Sequence, residues 1–373
     1  MKKTKKTLPV ALATLIALAF SCQSAKNVAE VQNQAPEAQQ SQNSESEQLA
    51  GQSNLPEENP IQLKEAELKE KFQLTDEKIP FREVWGYVMN GREHEFSVKY
   101  PITDVGYFVD AVNIWSEQGP VPPRNKFFKN YTGRVHLVTS CDSSSQTHLL
   151  LDPSLPLRNR IINQLVEAAK TYDGLQVDWE LVKKRDKENF LEFLKILKRK
   201  LGNKPLTVAI PARTKTLQND QYDYADLAKI VDKILIMAYD EHWSTSAPGA
   251  IGSTDWCKRI AEYAKTVIPE NKLIMGISFY GRIWTNDREG GRAWYHEGME
   301  RIRNEKSAQM QRDEFGVPYY QFEKTVTLTG WFDDMLSLKI KCQMYKEINI
   351  NRIGFWRVGQ EDHNFWNHLK ISR

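Results

Sequence analysis

The residues best equipped for chemistry lie in one octapeptide, Asp-Gly-Leu-Gln-Val-Asp-Trp-Glu at residues 173–180. In a strand, successive side chains point to opposite faces, so Gln176, Asp178 and Glu180 share one face and the apolar residues between them share the other. A carboxyl group near a second negative charge, or buried, has a raised pKa, so it can carry a proton near neutral pH and act as a general acid. We therefore expect an active site here, with Glu180 as the acid.

Helical patterns flank this segment, at residues 157–171 and 187–201. Strands that alternate with helices form parallel sheets, and such strands normally read as continuous apolar runs because both faces are covered. A polar row on one face is therefore an anomaly that indicates function. An edge or hairpin strand with one solvated face is the alternative, and the flanking helices disfavour it.

The octapeptide and four later segments resemble glycoside hydrolase family 18, the family of chitinase-like (β/α)8 barrels. Residues 173–180 resemble its Asp-Gly-x-Asp-x-Asp-x-Glu signature, with Gln176 in place of one Asp. The later segments, in the order that the family has them, are Met-Ala-Tyr-Asp at 237–240, Gly-Ile-Ser-Phe-Tyr-Gly-Arg at 276–282, Trp-Phe-Asp-Asp at 331–334 and Gly-Phe-Trp-Arg-Val-Gly at 354–359. Five segments in order make a specific signal, and the resemblance covers residues 80–373.

Eight strand-like segments separated by helices can be placed along the chain, at residues 83–89, 104–111, 135–140, 174–180, 206–212, 234–240, 273–279 and 352–356. This alternation predicts an α/β fold, the (β/α)8 TIM barrel. A doubly wound open sheet is the alternative, but no Gly-rich phosphate loop follows the first strand. Residues 284–329 are long for a connection, and we expect them to form a small insertion over the rim.

The resemblance implies a role for each polar residue at the strand ends. Glu180 would be the general acid, and Asp178 would hold the N–H of the substrate's 2-acetamido group, whose oxygen attacks the anomeric carbon in this family. Tyr239 would donate a hydrogen bond to that oxygen, and Asp240 would support the network. An ion-pair role within the barrel is the alternative for Glu180.

The resemblance also implies the residues that bind the substrate. Trp356 would form the apolar floor of the sugar site, because an aromatic face matches the C–H face of a pyranose. Tyr280 and Arg282 are candidates for sugar contacts, and a structural role is the alternative for each. Met237, from the segment that carries the catalytic tyrosine, completes this group.

Gln176, which we also count among the substrate-binding residues, is where the sequence departs from the family. A glutamine is neutral, so it can hydrogen-bond but cannot share charge or a proton with Asp178 as a second aspartate would. The catalytic pair survives this change. The sequence does not predict how Gln176 affects the pH optimum.

These assignments predict a retaining hydrolase of β-1,4-linked N-acetylglucosamine glycans that uses the acetamido group of its substrate. A non-catalytic, carbohydrate-binding surface protein on the same barrel is the alternative, and the presence of Glu180 disfavours it. A surface adhesin is a third reading. Peptidoglycan, chitin and N-glycan cores stay open as substrates, as do endo and exo action, although residues 240–243 and 247–249 resemble the spore-type, peptidoglycan-directed branch.

The N-terminus has the pattern of an export signal. Four lysines within residues 2–6 precede a largely apolar stretch at 8–20 and then Ser21-Cys22, and that stretch is short for a spanning helix of about 20 residues. We predict a lipoprotein signal peptide at residues 1–22 with lipidation at Cys22, and hence an exported cell-envelope lipoprotein held at a membrane. An ordinary cleaved signal and an uncleaved anchor are the alternatives.

The segment after Cys22 has the composition of a disordered linker. Residues 23–60 are rich in Gln, Asn, Ser, Glu and Ala and nearly lack aromatic residues, so they cannot bury enough surface to fold. We predict a linker over residues 23–79, with one short amphipathic helix within 61–79, that leads into a catalytic barrel at 80–373. An unrecognised binding module is the alternative.

The charge, cysteine and histidine content bears on possible partners, disulfides and metal sites. The net charge of +3 is nearly balanced, and no basic run indicates a nucleic-acid partner. Apart from Cys22 the chain has Cys141, Cys257 and Cys342, and because an odd number cannot all pair we expect buried thiols. The seven histidines show no metal-ligand spacing, so we expect no metal, no cofactor and a monomer.

Overall fold

A computed structural model of the protein describes residues 60–286, 291–323 and 326–372. The strands are β1 Ile79–Phe81, β2 Glu83–Met89, β3 Asp104–Phe108, β4 Arg134–Ser140, β5 Gly174–Asp178, β6 Leu206–Pro211, β7 Lys233–Met237, β8 Leu273–Ser278, β9 Gly281–Thr285, β10 Arg292–Trp294, β11 Gln311–Arg312, β12 Pro318–Glu323, β13 Thr327–Trp331, β14 Arg352–Trp356 and β15 Leu369–Ile371. The α-helices are α1 Pro60–Lys71, α2 Asn125–Phe128, α3 Ser144–Leu151, α4 Pro156–Ala168, α5 Lys187–Leu201, α6 Tyr224–Ala228, α7 Thr254–Val267, α8 His296–Glu305 and α9 Met335–Glu347.

The strands that we predicted for the barrel form a closed parallel barrel in the order β14-β2-β3-β4-β5-β6-β7-β8. The (β/α)8 fold is therefore confirmed, and the open doubly wound sheet is wrong. All five residues of β5 are buried, so the alternative of a strand with one solvated face is wrong as well. Five strands, β3 and β5 to β8, end earlier than predicted, and two of them bear on the site: β5 ends at Asp178 and β7 at Met237. Consequently Glu180 and Asp240 lie in the loops just beyond the strands, on the rim where barrel enzymes place their sites.

Helix α5 shows how the outer layer covers the strand that carries the catalytic candidates. Its buried residues recur at the three- and four-residue spacing of one helix face, namely Phe190, Leu191, Phe193, Leu194, Leu197 and Leu201. Glu188 lies in the first turn and three basic residues lie in the last, which favours the helix dipole. The helix ends at Gly202, whose φ of +61° is accessible to glycine without steric cost. Trp179 stacks on Phe193 at 4.8 Å, which fixes this helix against β5.

The long connection after β8 forms a small domain on the rim, as predicted. Its sheet is antiparallel throughout, with the strand order β10-β9-β13-β12-β11. One face of this sheet carries Ile283, Tyr320, Phe322 and Leu328, which pack with Met299 of α8 as a separate small core. The insertion thus begins at β9 and ends with β13, slightly wider than residues 284–329.

Helix α1 belongs to the packed structure rather than to a linker. Leu68 is 4% exposed and packs with Leu336 and Ile340 of α9. Arg312 of the insertion binds Glu65 at 2.8 Å, which ties the helix down from a second side. The packed structure therefore begins N-terminal to residue 80, where composition led us to place the boundary.

The N-terminal predictions fall on residues that the structure does not describe. The signal peptide, most of the linker and Cys22 lie outside the described residues. Within the described ranges, none of the helices has the length and apolar character needed to span a bilayer. Cys141, Cys257 and Cys342 are buried free thiols, as predicted.

Candidate active site

Two acidic residues emerge from the end of β5. Asp178 is the last residue of the strand and is 8% exposed, and its Oδ1 atom has no hydrogen-bond partner among the described residues. Glu180 follows two residues later and is half-buried. Burial, and after it the carboxyl groups of Glu180 and Asp142, raise the pKa of Asp178 well above its ordinary value. Asp178 therefore holds a proton more tightly than a solvated carboxyl group would.

Asp142 is a third acidic residue at this end of the barrel, and sequence reasoning missed it. It lies two residues beyond Ser140, the last residue of β4, and Ser140 is the register partner of Asp178. Asp142 is exposed on the rim, and its negative charge acts on Asp178. The available signal was its position just after a predicted barrel strand, where functional side chains concentrate.

Gln176 is fully buried beneath the catalytic pair, and its amide is bonded within the barrel. Tyr87 donates a hydrogen bond from its hydroxyl to Gln176 Oε1 at 2.6 Å, and Gln176 Nε2 donates to Thr207 Oγ1 at 3.1 Å. The side chain has no exposed surface. This placement argues against the predicted sugar contact and makes Gln176 a neutral cross-link between β2, β5 and β6.

The loop that carries Glu180 is held from the side by Tyr222, which sequence reasoning also missed. The Tyr222 hydroxyl donates to the carbonyl oxygen of Trp179 at 2.7 Å and accepts from the backbone N–H of Val182 at 3.1 Å. It therefore bonds to the chain on both sides of Glu180. Gln221 adds a third bond, from its Nε2 to the Val182 carbonyl at 2.9 Å. No sequence motif marks these residues, because the contact depends on the loop after β6.

Asp240 is the centre of a second polar group. Its φ of +60° lies in the left-handed region, which is uncommon for residues other than glycine and is often found at functional sites. Its Oδ1 accepts from the Tyr280 hydroxyl at 2.6 Å and from Arg282 Nη2 at 2.7 Å. Arg282 is 1% exposed and also donates to the Gly291 carbonyl at 3.0 Å. These contacts hold Tyr280 and Arg282 against Asp240, and their contact with a sugar stays a prediction.

Aromatic side chains form the floor and one wall between the two polar groups. Trp356 is half-buried at the end of β14, with its ring centroid 5.4 Å from that of Tyr87 and 5.0 Å from that of Phe108. Tyr239 is half-buried and packs against the same cluster. Burial first, then the charges of Tyr87 and Asp178, raise the pKa of Tyr239 well above its ordinary value, so its hydroxyl stays a donor.

The structure thus brings Glu180, Asp178, Tyr239 and Trp356 to one end of the barrel, where two carboxyl groups and two aromatic side chains lie together. Met237 is only 9% exposed and packs among the barrel-interior residues with Trp356, Tyr239 and others. It supports the floor from below. The arrangement can protonate a leaving group and hold a polar substituent while it offers an apolar face to a ring.

The comparisons with known proteins agree with this geometry. The family model Glycosyl hydrolases family 18 matches residues 142–361, which is more than half of the chain and includes the segments that build the site. The chain is 27% identical to the uncharacterized glycosylase YvbX of Bacillus subtilis over 57% of this chain and 65% of that protein. It is also 27% identical to the cortical fragment-lytic enzyme of Bacillus subtilis over 54% of this chain and 51% of that enzyme.

The chain therefore spans between half and two thirds of the length of these curated relatives. Among solved structures, the spore cortex-lytic enzyme SleL of Bacillus cereus superposes with a TM-score of 0.71 at 21% identity, over 79% of this chain and 76% of that one. A likeness at this identity shows the shared fold. Together with the family model, which matches the residues that form the catalytic rim, it leads to one conclusion: the chain belongs to glycosyl hydrolases family 18.

Proposed function

We propose that this protein hydrolyses β-1,4-linked N-acetylglucosamine glycans with net retention at the anomeric carbon. The observation that carries the proposal is the pair of Asp178 and Glu180 at the end of β5, with Tyr239 and Trp356 packed together at the same end of the barrel. Asp178 is buried and has an unpartnered Oδ1, so it is prepared to accept a hydrogen bond from a substrate. Glu180 is half-buried, so part of its side chain is accessible.

In the proposed reaction Glu180 donates its proton to the glycosidic oxygen as the bond to the anomeric carbon breaks. The oxygen of the substrate's 2-acetamido group forms the new bond to that carbon, which gives a cyclic, positively charged intermediate. Asp178 accepts the acetamido N–H and stabilises the positive charge, and Tyr239 donates to the acetamido oxygen. Glu180, now a carboxylate, takes a proton from water, which opens the ring with a second inversion.

We further propose that peptidoglycan glycan strands or their fragments are cleaved at least as well as chitin. Two features support this choice: the likeness to a protein named cortical fragment-lytic enzyme, and the segment at residues 240–243, which resembles the spore-type branch. We also propose that the protein is exported, lipidated at Cys22 and active as a monomer near the cell wall. Lipidation would hold the barrel close to such a substrate.

The test is turnover on purified peptidoglycan and on oligomers of β-1,4-linked N-acetylglucosamine, with Glu180→Gln beside Glu188→Gln. The first substitution removes the acid while keeping the shape of the side chain. Because general acid catalysis contributes at least roughly 10²-fold, kcat should fall by at least that factor. The second replaces an exposed glutamate of α5 and should leave kcat unchanged. A folded Glu180→Gln protein with wild-type turnover would remove Glu180 from the mechanism.

The stereochemistry tests the substrate-assisted step. NMR of the first product formed should show the retained anomer, and oligomers whose acetamido groups are replaced by free amines should resist cleavage, because an amine has no oxygen to attack the anomeric carbon. Inversion, or cleavage next to a free amine, would contradict the mechanism. If the protein cleaved chitin but released no fragments from peptidoglycan, the proposed mechanism would stand and the proposed preference for peptidoglycan would be wrong.

A further inference from the structure

Three consecutive basic residues follow the proposed general acid in the loop between β5 and α5. Lys183 is half-buried, and Lys184 and Arg185 are exposed. Three residues of extended chain span at most about 11 Å, so the backbone of Lys183 lies within that distance of the backbone of Glu180. These basic residues therefore lie on the same rim of the barrel as the proposed reaction.

The loop is anchored on both sides of the basic residues. Val182, immediately before them, is 2% exposed, and its N–H and carbonyl groups bond to Tyr222 and Gln221 of the loop after β6, at 3.1 and 2.9 Å. Asp186, immediately after them, is buried, and its Oδ1 lies 2.6 Å from Nδ1 of His148 on α3. The three basic residues are thus held in a defined place between two fixed points.

Two of these cations have no partner in the part of the chain that the structure describes. The ammonium groups of Lys183 and Lys184 make no hydrogen bond or ion pair with a described residue. Arg185 has one contact, at 3.7 Å from its Nε to Oδ2 of Asp186. Lys187, the next basic residue along the chain, is by contrast paired with a carboxylate of α6 at 2.8 Å. The basic residues before it are therefore available to a ligand.

The basic residues do not stabilise the helix that follows them. Helix α5 begins at Lys187, and its dipole places a partial positive charge at that end, where further cations are unfavourable. The favourable negative charge comes from Asp186 at the N-cap and from Glu188 in the first turn. A role in stabilising α5 is therefore disfavoured, and a role in attracting an anion is favoured.

Positive charge prevails on this side of the rim. The exposed charged residues on the neighbouring loops after β4, β5 and β6 are Asp142, Lys184, Arg185 and Lys215. Arg213, half-buried on the third loop, is neutralised by Asp220 at 2.8 Å. A ligand that approaches Glu180 from this side therefore meets more positive than negative charge.

The two candidate substrates differ in the charge that would meet these residues. Chitin is a neutral polymer of N-acetylglucosamine. In peptidoglycan every second sugar carries a lactyl group and a short peptide with free carboxylates. Hydrogen bonds between Lys or Arg and a carboxylate are stronger than those between neutral groups, although each exposed pair contributes little by itself. Several cations together can therefore distinguish the two glycans.

We propose that Lys183, Lys184 and Arg185 bind a carboxylate of the glycan near the bond that Glu180 cleaves, and thereby favour peptidoglycan over neutral chitin. This inference rests on the proposed function, because it takes the substrate to be an N-acetylglucosamine glycan cleaved with the help of Glu180. It deepens that function by naming the chemical group that the protein selects. Because exposed charges are screened by salt, the preference should weaken as ionic strength rises.

The experiment compares one glycan in two charge states. Peptidoglycan fragments are used with free carboxylates and after conversion of those carboxylates to methylamides, and the measured quantity is the ratio of kcat/KM for the charged form to kcat/KM for the amidated form. In the full-length protein, Lys183→Gln/Lys184→Gln should lower this ratio roughly 4- to 25-fold at low salt, because an exposed ion pair contributes about 2- to 5-fold for each lysine. Lys184→Gln alone should lower it about 2- to 5-fold, which keeps the test valid if the double variant does not fold.

Lys195→Gln/Lys200→Gln is the matched control, because it removes the same net charge from two exposed lysines of α5. These lie about 12 and 20 Å along the helix from its first residue, away from the rim, so the ratio should stay within about twofold of the wild-type ratio. Lys184→Arg should keep the ratio, and Lys184→Glu should lower it further than Lys184→Gln. An unchanged ratio in Lys183→Gln/Lys184→Gln, or an equal fall in the control, would overturn the carboxylate contact.

The outcomes also separate this contact from the proposed function. If the wild-type protein cleaves the charged and the amidated fragments equally well, the contact is wrong and the hydrolase stands. If it cleaves neither form, isothermal titration calorimetry with both forms decides. Tighter binding of the charged form that is lost in Lys183→Gln/Lys184→Gln would support the contact while the hydrolase is wrong, and equal or absent binding would overturn the contact as well.

Discussion

Tyr222→Phe is the sharpest test of how this site is held together, since it removes one oxygen atom and no packing. The lost hydroxyl donates to Trp179 and accepts from Val182, at 2.7 and 3.1 Å, and these residues flank Glu180. The ring remains against Phe190, at 6.1 Å between centroids. The expected effect is therefore a loosened Glu180 loop in a folded protein.

The magnitude follows from the two backbone groups that lose a partner. An unsatisfied buried polar group costs about 1–3 kcal/mol, which bounds the loss for each. Gln221 still donates to the Val182 carbonyl at 2.9 Å, so part of the loop stays fixed. We expect roughly 1–2 kcal/mol to appear in the transition state, where the acid must be aligned, and hence kcat to fall about 5- to 30-fold with little change in KM.

The assay compares kcat, KM and the pH profile of the Tyr222→Phe and Tyr224→Phe proteins on the same oligosaccharide. Tyr224 is a buried tyrosine on the same segment, and its hydroxyl donates to the Pro211 carbonyl at 3.0 Å instead of to the Glu180 loop. The Tyr224→Phe substitution should lower the free energy of unfolding by a similar amount and leave kcat unchanged. Wild-type kcat in Tyr222→Phe, or an equal loss in Tyr224→Phe, would refute the positioning role.

Three further predictions concern the site and the N-terminal segment. Asp178→Asn should unfold at a higher temperature than the wild type at pH 7, because the pKa of Asp178 is raised in the folded protein. The stability that such an acid contributes is fully present below its unfolded pKa of about 3.9 and is lost as pH rises through its folded pKa, so the difference in unfolding temperature should close at low pH. Leu68→Ala should lower the free energy of unfolding by about 2–5 kcal/mol in denaturant titration, whereas the exposed Leu149→Ala should change it by less than about 0.5. Cys22→Ser should move the protein out of the membrane fraction, and unchanged fractionation with normal signal cleavage would contradict lipidation there.

The barrel was predictable because its strands and helices are each encoded locally. An apolar strand such as β7, followed by an amphipathic helix such as α7, shows its period in the sequence itself. The place of Asp178 and Glu180 at the rim was predictable for a related reason, since two acidic residues at the end of an otherwise apolar pattern break that pattern. The end of β5 at Asp178 was not predictable, because Tyr222 of another loop holds the backbone around Glu180 outside the hydrogen-bonded sheet.

The supporting residues could not be found in the same way. The positions of Tyr222 and Asp142 beside Asp178 and Glu180 depend on which loops meet when the barrel closes. The docking of α1 rests on Leu68, on the ion pair of Glu65 with Arg312 and on lysine hydrogen bonds to backbone carbonyls. The helix is highly charged, so its composition resembles that of a solvated linker. Contacts of this kind are non-local, and local patterns carry no signal for them.

Gln176 shows what the departure from the family signature does to the electrostatics of the site. At that position Tyr87 needs an acceptor and Thr207 receives an N–H, and an amide supplies both without charge, whereas a carboxylate could supply only the first. No negative charge therefore acts on Asp178 from residue 176, directly beneath it. The carboxyl groups that raise the pKa of Asp178, after burial, are Glu180 and then Asp142, both on the rim. In the proposed reaction Glu180 therefore has two effects, as the acid and as the main charged neighbour of Asp178. When Glu180 gives its proton to the substrate, its negative charge raises the free-energy cost of ionising Asp178, and the positive charge of the proposed intermediate offsets that cost.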